Sequence, residues 1–553
     1  TRASELQSLV TTALGEHGRI TVASRSMSAD DTLPHLDASA LVVADLATIL
    51  LTGVQTQALH EFVRRGGALI ALGEMAPGWQ DNRRLHELLG IGPAVAHSPV
   101  TELVIQVASD HDITRRLDPT CHATGSCALL DAAPDGAAVL FTTSWRYATV
   151  PLAWMRPYGK GMVYFDSFTA AEGEHEPEPL RQALFRAIRY ATGWREGPPI
   201  RVAMIGYGAI GFEHGSAMQA TPGLDYTLVC DRNPSRLAVA RDAFPHIRTT
   251  TEIADVLADD AIDAAIVAAP PNTHAALARD LLLAGKHVVV EKPFCLTTTE
   301  ADDLISLANE RNLTLTVYQN RRWDPDFLAI AQVVREGRLG DLFHVEMFIG
   351  DYHHPCDFWH SHEPISGGVF YDWGSHYLDW ALTLLPDKIA DVRASTQKRV
   401  WLDVTNADQA TLHIRFQNGC EVIFIHSDVA ALLKPKWYAL GTKGALVANW
   451  RHETVTSRKW SGDLIEERLA PSEALPIVTL ATRIAEGRIN EEQLALPPAP
   501  LQPFHRNLAN HLLASEPLAV SPTSSRRNIA VMEAAAYSAA HNSVVVPIDE
   551  RYA

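Results

Sequence analysis

The amino-acid sequence predicts an α/β protein whose C-terminal part is an α+β region with a large, mainly antiparallel sheet. Short apolar segments alternate with segments of helical periodicity up to about residue 290, which is typical of sheets covered by helices. A Gly-Pro-Pro break at residues 197–199 divides this alternation into two regions, and longer segments of period two follow residue 340. At 553 residues the chain exceeds the ~250–300 residues that one core supports, so we expect several domains.

The first region, residues 1–195, has a helical segment at 4–16 and short apolar runs at 20–23 and 40–44. A helix at 54–65 leads into a strand at 68–72. Strands at 103–107 and 162–165 and a closing helix at 179–192 complete the pattern. Because its strands are almost continuously apolar, we expect a parallel sheet covered by helices.

Two further domains are expected after the proline break. Residues 200–320 alternate strands at 201–205, 226–230, 264–268 and 287–290 with helices. In residues 321–553, Asn418-Gly419 between the strands 410–416 and 421–427 is a strong hairpin signal. The final helices of this third region could pack back on the second.

Composition and charge exclude several classes of function. No run of 18 apolar residues predicts a membrane span, and a net charge of −18 argues against nucleic acid as a partner. Six cysteines without a CxxC pair favour a reducing cytoplasm, and the first residues are not typical of a signal peptide. The missing initiator Met indicates a trimmed sequence, which leaves a lost targeting segment open.

The most informative motif is a glycine-rich turn, Gly206-Tyr207-Gly208-Ala209-Ile210-Gly211, between a strand and a helix. The first glycine permits a tight turn, the second lets a pyrophosphate approach the backbone, and the third allows close packing. The free N–H groups at the helix N-terminus then face the phosphates. This pattern predicts a Rossmann domain that binds a dinucleotide.

Asp231 follows the second strand, twenty residues after Gly211, where a carboxylate accepts hydrogen bonds from ribose hydroxyls. A 2′-phosphate would meet this carboxylate, so Asp231 favours NAD. The next residue, Arg232, could stack on adenine or contact that phosphate, so NADP stays possible.

The end of the first region resembles a trehalose-utilisation (ThuA-like) domain. The resemblance is carried by Asp110-His111-Asp112-Ile113-Thr114, by Pro151-Leu152-Ala153-Trp154, and by Tyr158-Gly159-Lys160-Gly161-Met162-Val163-Tyr164 with the helix that follows. It implies a flavodoxin-like α/β fold related to class I glutamine amidotransferases. The turn Leu72-Gly73-Glu74-Met75 lacks their nucleophilic cysteine, so we expect no amidotransferase chemistry. The family's usual first strand is also missing.

Motifs after residue 200 resemble the family of glucose–fructose oxidoreductase, inositol dehydrogenase and the rhizopine-catabolism protein (Gfo/Idh/MocA). They are Pro270-Pro271-Asn272-Thr273-His274, Glu291-Lys292-Pro293, and the segment from Gly367-Gly368-Val369 to His376-Tyr377-Leu378-Asp379. The resemblance covers about residues 200–545 and implies hydride transfer between NAD(P) and a secondary alcohol of a sugar, a sugar derivative or a cyclitol. The segment Gln319-Asn320-Arg321-Arg322-Trp323-Asp324-Pro325 also resembles the branch that contains scyllo-inositol dehydrogenases.

In that family, the positions that match Lys292, Asp372 and His376 are catalytic. His376 would be the general base, and the Lys292 ammonium would stabilise the developing alkoxide. If residues 372–376 are helical, Asp372 and His376 share a face, so that Asp372 holds the imidazole or binds a substrate hydroxyl. Taken singly, each residue has an ordinary explanation as a strand end or a helix surface pair. Their coincidence with the nucleotide motif predicts the site.

Other residues are expected around this centre. Pro270, Asn272, His274 and Glu291 are assigned to the cofactor, although Asn272 and His274 could instead cap the following helix. Pro293 could introduce a cis peptide that aims Lys292. For the substrate, we expect Trp359, His360 and Arg321 to contact a polyhydroxylated ring by stacking and hydrogen bonds.

A cluster of histidines with one cysteine raises the question of a metal. It consists of His353, His354, Cys356, His360 and His362. The spacing matches no standard zinc site, so we predict no metal and expect a loop near the substrate.

Two alternatives to a simple dehydrogenase remain open. The same residues could support glycoside hydrolysis through transient oxidation and elimination on a bound NAD. A sensor of nucleotide or sugar built on this fold would need no catalysis. For the first region we expect a structural, substrate-gating or oligomerisation role, with hydrolysis or isomerisation of a keto-sugar still possible. By analogy with the resembling family, we expect a homo-oligomer, a dimer or a tetramer.

Overall fold

The structure is a computed structural model that describes residues 2–14, 41–46, 51–73, 82–92, 96–130, 132–356, 358–451, 454–458, 464–468 and 474–548. The chain forms two compact units. The first contains Thr1–Pro198 and Asn510–Glu516, and the second contains Pro199–Ala509 and Pro517–Ala553. The predicted strand at 20–23 and the residues Glu74 and Met75 lie outside the described residues.

The first unit is an α/β structure built on an eight-stranded sheet. The strands, in spatial order, are Leu41–Asp45, Ala68–Leu72, Gly161–Asp166, Ala148–Tyr158, Ala138–Trp145, Thr101–Val107, Thr120–Ser126 and Thr169–Ala170. Its helices are Arg2–Leu14, Gly53–Arg65, Arg83–Leu89 and Glu178–Ala191. Ile70 and Leu72 belong to one apolar core and Leu69 and Ala71 to another, because successive side chains of a strand point to opposite faces of the sheet.

The expected parallel sheet is wrong for most of this unit. Only the first three strands pair in parallel, and the other five are antiparallel to their neighbours. For two of these antiparallel pairs the physical reason is a connection of two residues. Arg146 and Tyr147 alone join two of the strands, both with positive φ angles, of 45° and 70°. Two residues can join antiparallel strands, whereas a parallel crossover needs a dozen or more.

The second unit begins with a six-stranded sheet in which every pair is parallel. The strands, in spatial order, are Arg248–Thr250, Leu224–Cys230, Ile200–Ile205, Ala264–Val267, His287–Val290 and Leu315–Val317. The helices between them are Gly211–Ala220, Pro234–Ala243, Ile253–Leu257, His274–Leu283 and Thr298–Arg311. This is the predicted Rossmann arrangement. The chain reverses direction across the sheet between Ile200–Ile205 and Ala264–Val267, where such sheets bind ligands.

A nine-stranded sheet follows in the same unit, and it is mainly antiparallel as predicted. Its strands, in spatial order, are Arg488–Gln493, Ile477–Ala485, Gly444–Asn449, Trp437–Gly441, Leu342–Gly350, Glu421–Ser427, Gln409–Phe416, Ile389–Gln397 and Val546–Pro547. The Asn418-Gly419 turn joins two of them, with Gly419 at φ 88°. The helices of this part are Pro325–Arg335, Glu363–Ser366, Trp373–Leu384 and Pro522–Ala540, together with the part of the helix Pro503–Ala514 up to Ala509.

The helix Pro522–Ala540 connects the two sheets of the second unit. Arg526 forms a two-pronged ion pair with Asp302 of the helix Thr298–Arg311, at 2.8 and 2.9 Å. Asn528 donates a hydrogen bond to the backbone carbonyl of Ser375 at 2.7 Å. The helix that carries His376 is therefore tied to the nucleotide-binding sheet.

All six cysteines lie within the described residues, and none of them is in a disulfide bond. Among the helices described, none has both the length and the apolar character needed to cross a lipid bilayer.

Candidate active site

A cavity of about 1190 Å³ opens at the carboxyl ends of the parallel strands. It extends from the glycine-rich turn to the segment that precedes the helix Trp373–Leu384. Among the residues that line it are Gly206, Gly208, Asp231, Asn272, Glu291, Lys292, His360 and Asp372. Residues that are distant in the sequence thus share one surface, long enough for a dinucleotide at one end and a second molecule at the other.

The three glycines of the turn have three different surroundings. Gly206 has a φ of +91°, and a Cβ there would lie 2.6 Å from the carbonyl oxygen of Ala268. A Cβ on Gly211 would lie 2.8 Å from the Tyr207 ring, so this glycine allows close packing. A Cβ on Gly208 would meet nothing within 4 Å. Gly208 therefore leaves open the space in which a phosphate can approach the backbone, and the turn fits a dinucleotide.

Most of the predicted turn residues face the cavity, including Ala209 and Ile210. Tyr207 and Gly211 are not among the lining residues: the Tyr207 ring is buried against Gly211 and contributes packing. Its backbone N–H donates to Asp231 Oδ2 at 2.7 Å, and Asn233 N–H donates to the other carboxylate oxygen at 2.8 Å. Asp231 thus supports the turn and still lines the cavity.

Two arginines lie beside Asp231. Arg232, predicted from the sequence, lines the cavity. Arg236 also lines it, and its guanidinium lies 3.6 Å from Asp231 Oδ2. Arg236 was not predicted from the sequence, although it lies in the first turn of the helix that follows Asp231, close enough along the chain to be considered with Arg232.

In the segment 270–274, some residues line the cavity and one side chain is buried in the protein interior. Pro270 and Asn272 line the cavity. His274 is 1% exposed, and its Nδ1 and Nε2 each lie 2.8 Å from a backbone carbonyl, that of Pro293 and that of Ala269. Burial lowers its pKa although both carbonyls act to raise it. The predicted contact of His274 with a cofactor is therefore corrected: its ring is buried because it joins two loops behind the cavity wall.

Lys292 and Asp372 form the polar centre of the cavity. Lys292 Nζ donates a hydrogen bond to Asp372 Oδ1 at 3.0 Å. Burial acts to raise the pKa of Asp372, but Lys292, His360 and His426 together outweigh it and hold that pKa below its usual range, with Lys292 as the largest of the three. The Lys292–Pro293 peptide bond is cis. The pair is therefore a carboxylate and an ammonium side by side.

His376 lies in the helix Trp373–Leu384 and is not among the residues that line the cavity. Its ring is buried, and Nδ1 has no hydrogen-bond partner in the part of the chain that the structure describes. Burial lowers the pKa of His376 well below its usual range, and the charges of Lys292 and Arg321 lower it further. The imidazole is consequently neutral near pH 7.

The expected pairing of Asp372 with His376 is not formed. The helix begins at Trp373, so Asp372 precedes it with a ψ of −103°. Its carboxylate therefore does not share a helical face with His376, and it pairs with Lys292. Of the two roles considered for Asp372, contact with a substrate hydroxyl is the one that this geometry allows.

Trp359 and His360 line the cavity at its second end, with their ring centroids 3.7 Å apart. His360 is open to the cavity, yet the surrounding protein lowers its pKa by desolvation, with Asp372 acting to raise it and Lys292 to lower it. Arg321 is not among the cavity-lining residues; its guanidinium lies 5.0 Å from the centre of the Trp373 ring and 3.2 Å from Asp324.

The histidine and cysteine cluster separates into different environments. His354 Nε2 lies 2.8 Å from an Asp403 carboxylate oxygen, and Cys356 Sγ lies 3.5 Å from Ser361 Oγ. Within the described ranges, no three His, Cys, Asp or Glu side chains are arranged to hold a metal ion.

Besides Arg236, two further ionisable groups near the site were not predicted. Glu213, in the first turn of the helix after the glycines, lines the cavity and accepts a hydrogen bond from Tyr318 at 3.2 Å. His426 acts to lower the pKa of Asp372 and is itself buried in the strand Glu421–Ser427. A histidine at a buried position of an alternating strand was the signal for it.

Both units of the chain match families of known proteins. Residues 200–319 match the model of the oxidoreductase family with an NAD-binding Rossmann fold, and residues 327–447 match that of the GFO/IDH/MocA C-terminal domain. An uncharacterized oxidoreductase of Schizosaccharomyces pombe is 34% identical over 258 residues, 45% of this chain and 70% of that protein. The chain belongs to the GFO/IDH/MocA oxidoreductase family. Residues 4–191 match the trehalose-utilisation (ThuA) model, so the resemblance of the first region is confirmed as well.

Relatives of this GFO/IDH/MocA protein include inositol dehydrogenases. The scyllo-inositol 2-dehydrogenase (NADP(+)) IolW of Bacillus subtilis is 34% identical over 36% of this chain and 55% of its own length. The myo-inositol 2-dehydrogenase of Thermotoga maritima is 26% identical over 48% of this chain and 80% of its own. A solved NAD-binding protein from Listeria innocua is 26% identical, with a TM-score of 0.54 over 64% of this chain and 98% of that one. The protein is thus an oxidoreductase with an NAD(P)-binding Rossmann fold.

Proposed function

We propose that the protein transfers a hydride between the nicotinamide of NAD(P) and a secondary alcohol of a sugar, a sugar derivative or a cyclitol. The observation that carries this proposal is the Lys292–Asp372 pair, at 3.0 Å, on the wall of the same cavity as the glycine-rich turn. The inositol dehydrogenases among the relatives support a ring with several hydroxyls.

In this proposal, each residue of the site has a different role in catalysis. Bound NAD(P) supplies a nicotinamide ring that accepts or donates a hydride. His376 is neutral near pH 7, because burial lowers its pKa, and serves as the base that takes the hydroxyl proton. Lys292 places a positive charge where negative charge develops on the substrate oxygen. Asp372 orients the Lys292 ammonium and accepts a hydrogen bond from a neighbouring hydroxyl.

Trp359 and His360 extend the site away from the nucleotide-binding turn. An indole ring offers a flat apolar face, which suits the C–H face of a sugar or cyclitol. His360 adds a hydrogen-bonding group near the Lys292–Asp372 pair, since both charges affect its pKa. Together they select a ring that is apolar on one face and polar at its edge.

The proposal is tested with purified protein and a panel of inositols, sugars and glycosides, with NAD and NADP in parallel. We expect reduced nicotinamide to accumulate in proportion to the loss of one panel compound, and we expect Lys292→Ala to abolish it. Loss of a glycoside without reduced nicotinamide would instead favour transient oxidation and elimination. A panel that is unchanged with both cofactors would contradict the assigned substrate class.

A further inference from the structure

Behind the Glu291-Lys292 segment, three buried polar side chains form a hydrogen-bonded row. Glu291 Oε1 lies 2.8 Å from His214 Nε2, and His214 Nδ1 lies 3.0 Å from His505 Nε2. His214 is 0% exposed and His505 is 1% exposed. Three elements supply them: the end of the strand His287–Val290, the helix Gly211–Ala220 and the helix Pro503–Ala514.

The chemistry of the groups fixes the direction of the hydrogen bond to Glu291. Glu291 Oε2 accepts the backbone N–H of Lys292 at 2.9 Å. Because a carboxylate only accepts, His214 donates from Nε2 to Oε1. His505 Nε2 shares the second hydrogen bond with His214 Nδ1. Burial, with a smaller effect of His214, lowers the pKa of His505 well below its usual range.

The other side of the same segment is also held. The Pro293 carbonyl oxygen lies 2.8 Å from His274 Nδ1. The side chain that precedes Lys292 and the carbonyl that follows it are therefore both bound to buried histidines. Between these two attachments, the Lys292 side chain extends into the cavity and meets Asp372.

We propose that His214 is a positioning residue, which keeps Lys292 against Asp372 by holding the Glu291 carboxylate. Without the His214 N–H, Glu291 Oε1 would be buried without a donor, an arrangement that proteins avoid. The carboxylate then moves towards other donors and releases the Lys292 backbone N–H. This proposal deepens the proposed function and rests on it, because only a reacting substrate makes the position of Lys292 matter for catalysis.

The test measures how accessible Lys292 is, without any substrate. Each full-length protein is treated with a trace of acetic anhydride, and acetylation of Lys292 is quantified by peptide mass spectrometry relative to the exposed Lys388. His214→Phe keeps a buried ring and removes both nitrogens. His214→Gln restores an amide N–H at the reach of imidazole Nε2. Asp372→Asn shows how fast Lys292 reacts when its ionic partner is lost.

A matched control separates positioning from general destabilisation. Ser538 is buried in the helix Pro522–Ala540, where its Oγ accepts from the Ala394 N–H at 2.9 Å. Ser538→Ala therefore also removes a buried hydrogen bond from the second unit, at residues that do not line the cavity. Should His214→Phe fail to fold, His214→Asn, whose amide is too short to reach Glu291, replaces it with the same expectation.

We expect Lys292 to be acetylated several-fold faster in His214→Phe than in the wild type, at the wild-type rate in Ser538→Ala, and near it in His214→Gln. Wild-type labelling in His214→Phe, alongside faster labelling in Asp372→Asn, would overturn the proposal. With a turned-over substrate, kcat should fall about 10- to 100-fold in His214→Phe with little change in cofactor KM. Labelling that depends on His214 in a protein without dehydrogenase activity would reject the proposed function and retain the positioning role.

Discussion

The Lys292 ammonium and the Asp372 carboxylate, eighty residues apart in the sequence, meet over 3.0 Å on the wall of one cavity. The pair joins the segment that follows the strand His287–Val290 to the segment that precedes the helix Trp373–Leu384. Lys292, with His360 and His426, keeps the pKa of Asp372 low despite desolvation. In the proposed function, a substrate hydroxyl at this position meets a cation and an anion at once.

The first prediction concerns this pair. Lys292→Ala should lower kcat/KM about 10²- to 10³-fold, since it removes the cation that stabilises the developing alkoxide. Asp372→Asn keeps the shape but loses the charge that orients Lys292, and it should also lower kcat. Lys388→Ala removes an exposed lysine and serves as the control. Equal rates in Lys292→Ala and Lys388→Ala would remove Lys292 from the mechanism.

The second prediction concerns pH. A buried histidine whose pKa is lowered stays neutral, and so active as a base, well below its ordinary value of about 6.5. Activity that needs the neutral form is lost only as the pH falls through the lowered pKa. We therefore expect kcat/KM to stay nearly constant from about pH 8 down to about pH 6. A profile that falls by half near pH 6.5 would show that His376 is not the base or is not desolvated.

The third prediction concerns the choice between NAD and NADP. Asp231→Ser removes the carboxylate that would repel a 2′-phosphate and leaves Arg232 and Arg236 on the same wall. We expect the ratio of kcat/KM for NADP over NAD to rise about tenfold, because a tenfold change corresponds to roughly the free energy of one charged contact. Asp242→Ser, which removes an exposed carboxylate that does not line the cavity, should leave the ratio unchanged.

The fourth prediction concerns the far end of the cavity. His360→Ala and Trp359→Ala should raise the substrate KM about tenfold, because each removes one contact with the substrate ring, and should leave cofactor KM unchanged. His353→Ala, in the same loop but outside the cavity lining, is the matched control. Unchanged substrate KM in both cavity variants would place the substrate elsewhere.

The sequence alone predicted the second unit well and the first unit less well. Four of the six Rossmann strands were recognisable because each is a short apolar run followed by a glycine or polar turn. Arg248–Thr250 and Leu315–Val317 were missed, because each has only three residues and the first carries no apolar side chain. In the first unit, the strands Ala138–Trp145 and Ala148–Tyr158 were missed, and with them the antiparallel half of the sheet. Their pairing depends on the positive φ angles of Arg146 and Tyr147, which few side chains adopt and no motif announced.

The site was predicted by residue type better than by contact. Lys292 and Asp372 were identified from their motifs, but their mutual hydrogen bond depends on where the helix begins, and a shift of one residue at Trp373 decides it. The roles of His274 and His214 could not be predicted from the sequence either. His274 ends the motif at 270–274, and His214 follows the glycine-rich turn. Only the packing of the folded chain shows that both rings lie outside the cavity lining and hydrogen-bond to the Lys292 segment.

Transfer of deuterium from substrate to cofactor tests whether Lys292 and the cofactor-binding turn serve one hydride transfer. The panel substrate is prepared with deuterium on the carbon that bears the reacting hydroxyl, and the reduced cofactor is analysed by mass spectrometry. We expect the wild type to form reduced cofactor with one deuterium on the nicotinamide ring, and Lys292→Ala to form almost none. Reduced cofactor without deuterium, or labelled cofactor formed equally fast by Lys292→Ala, would contradict it.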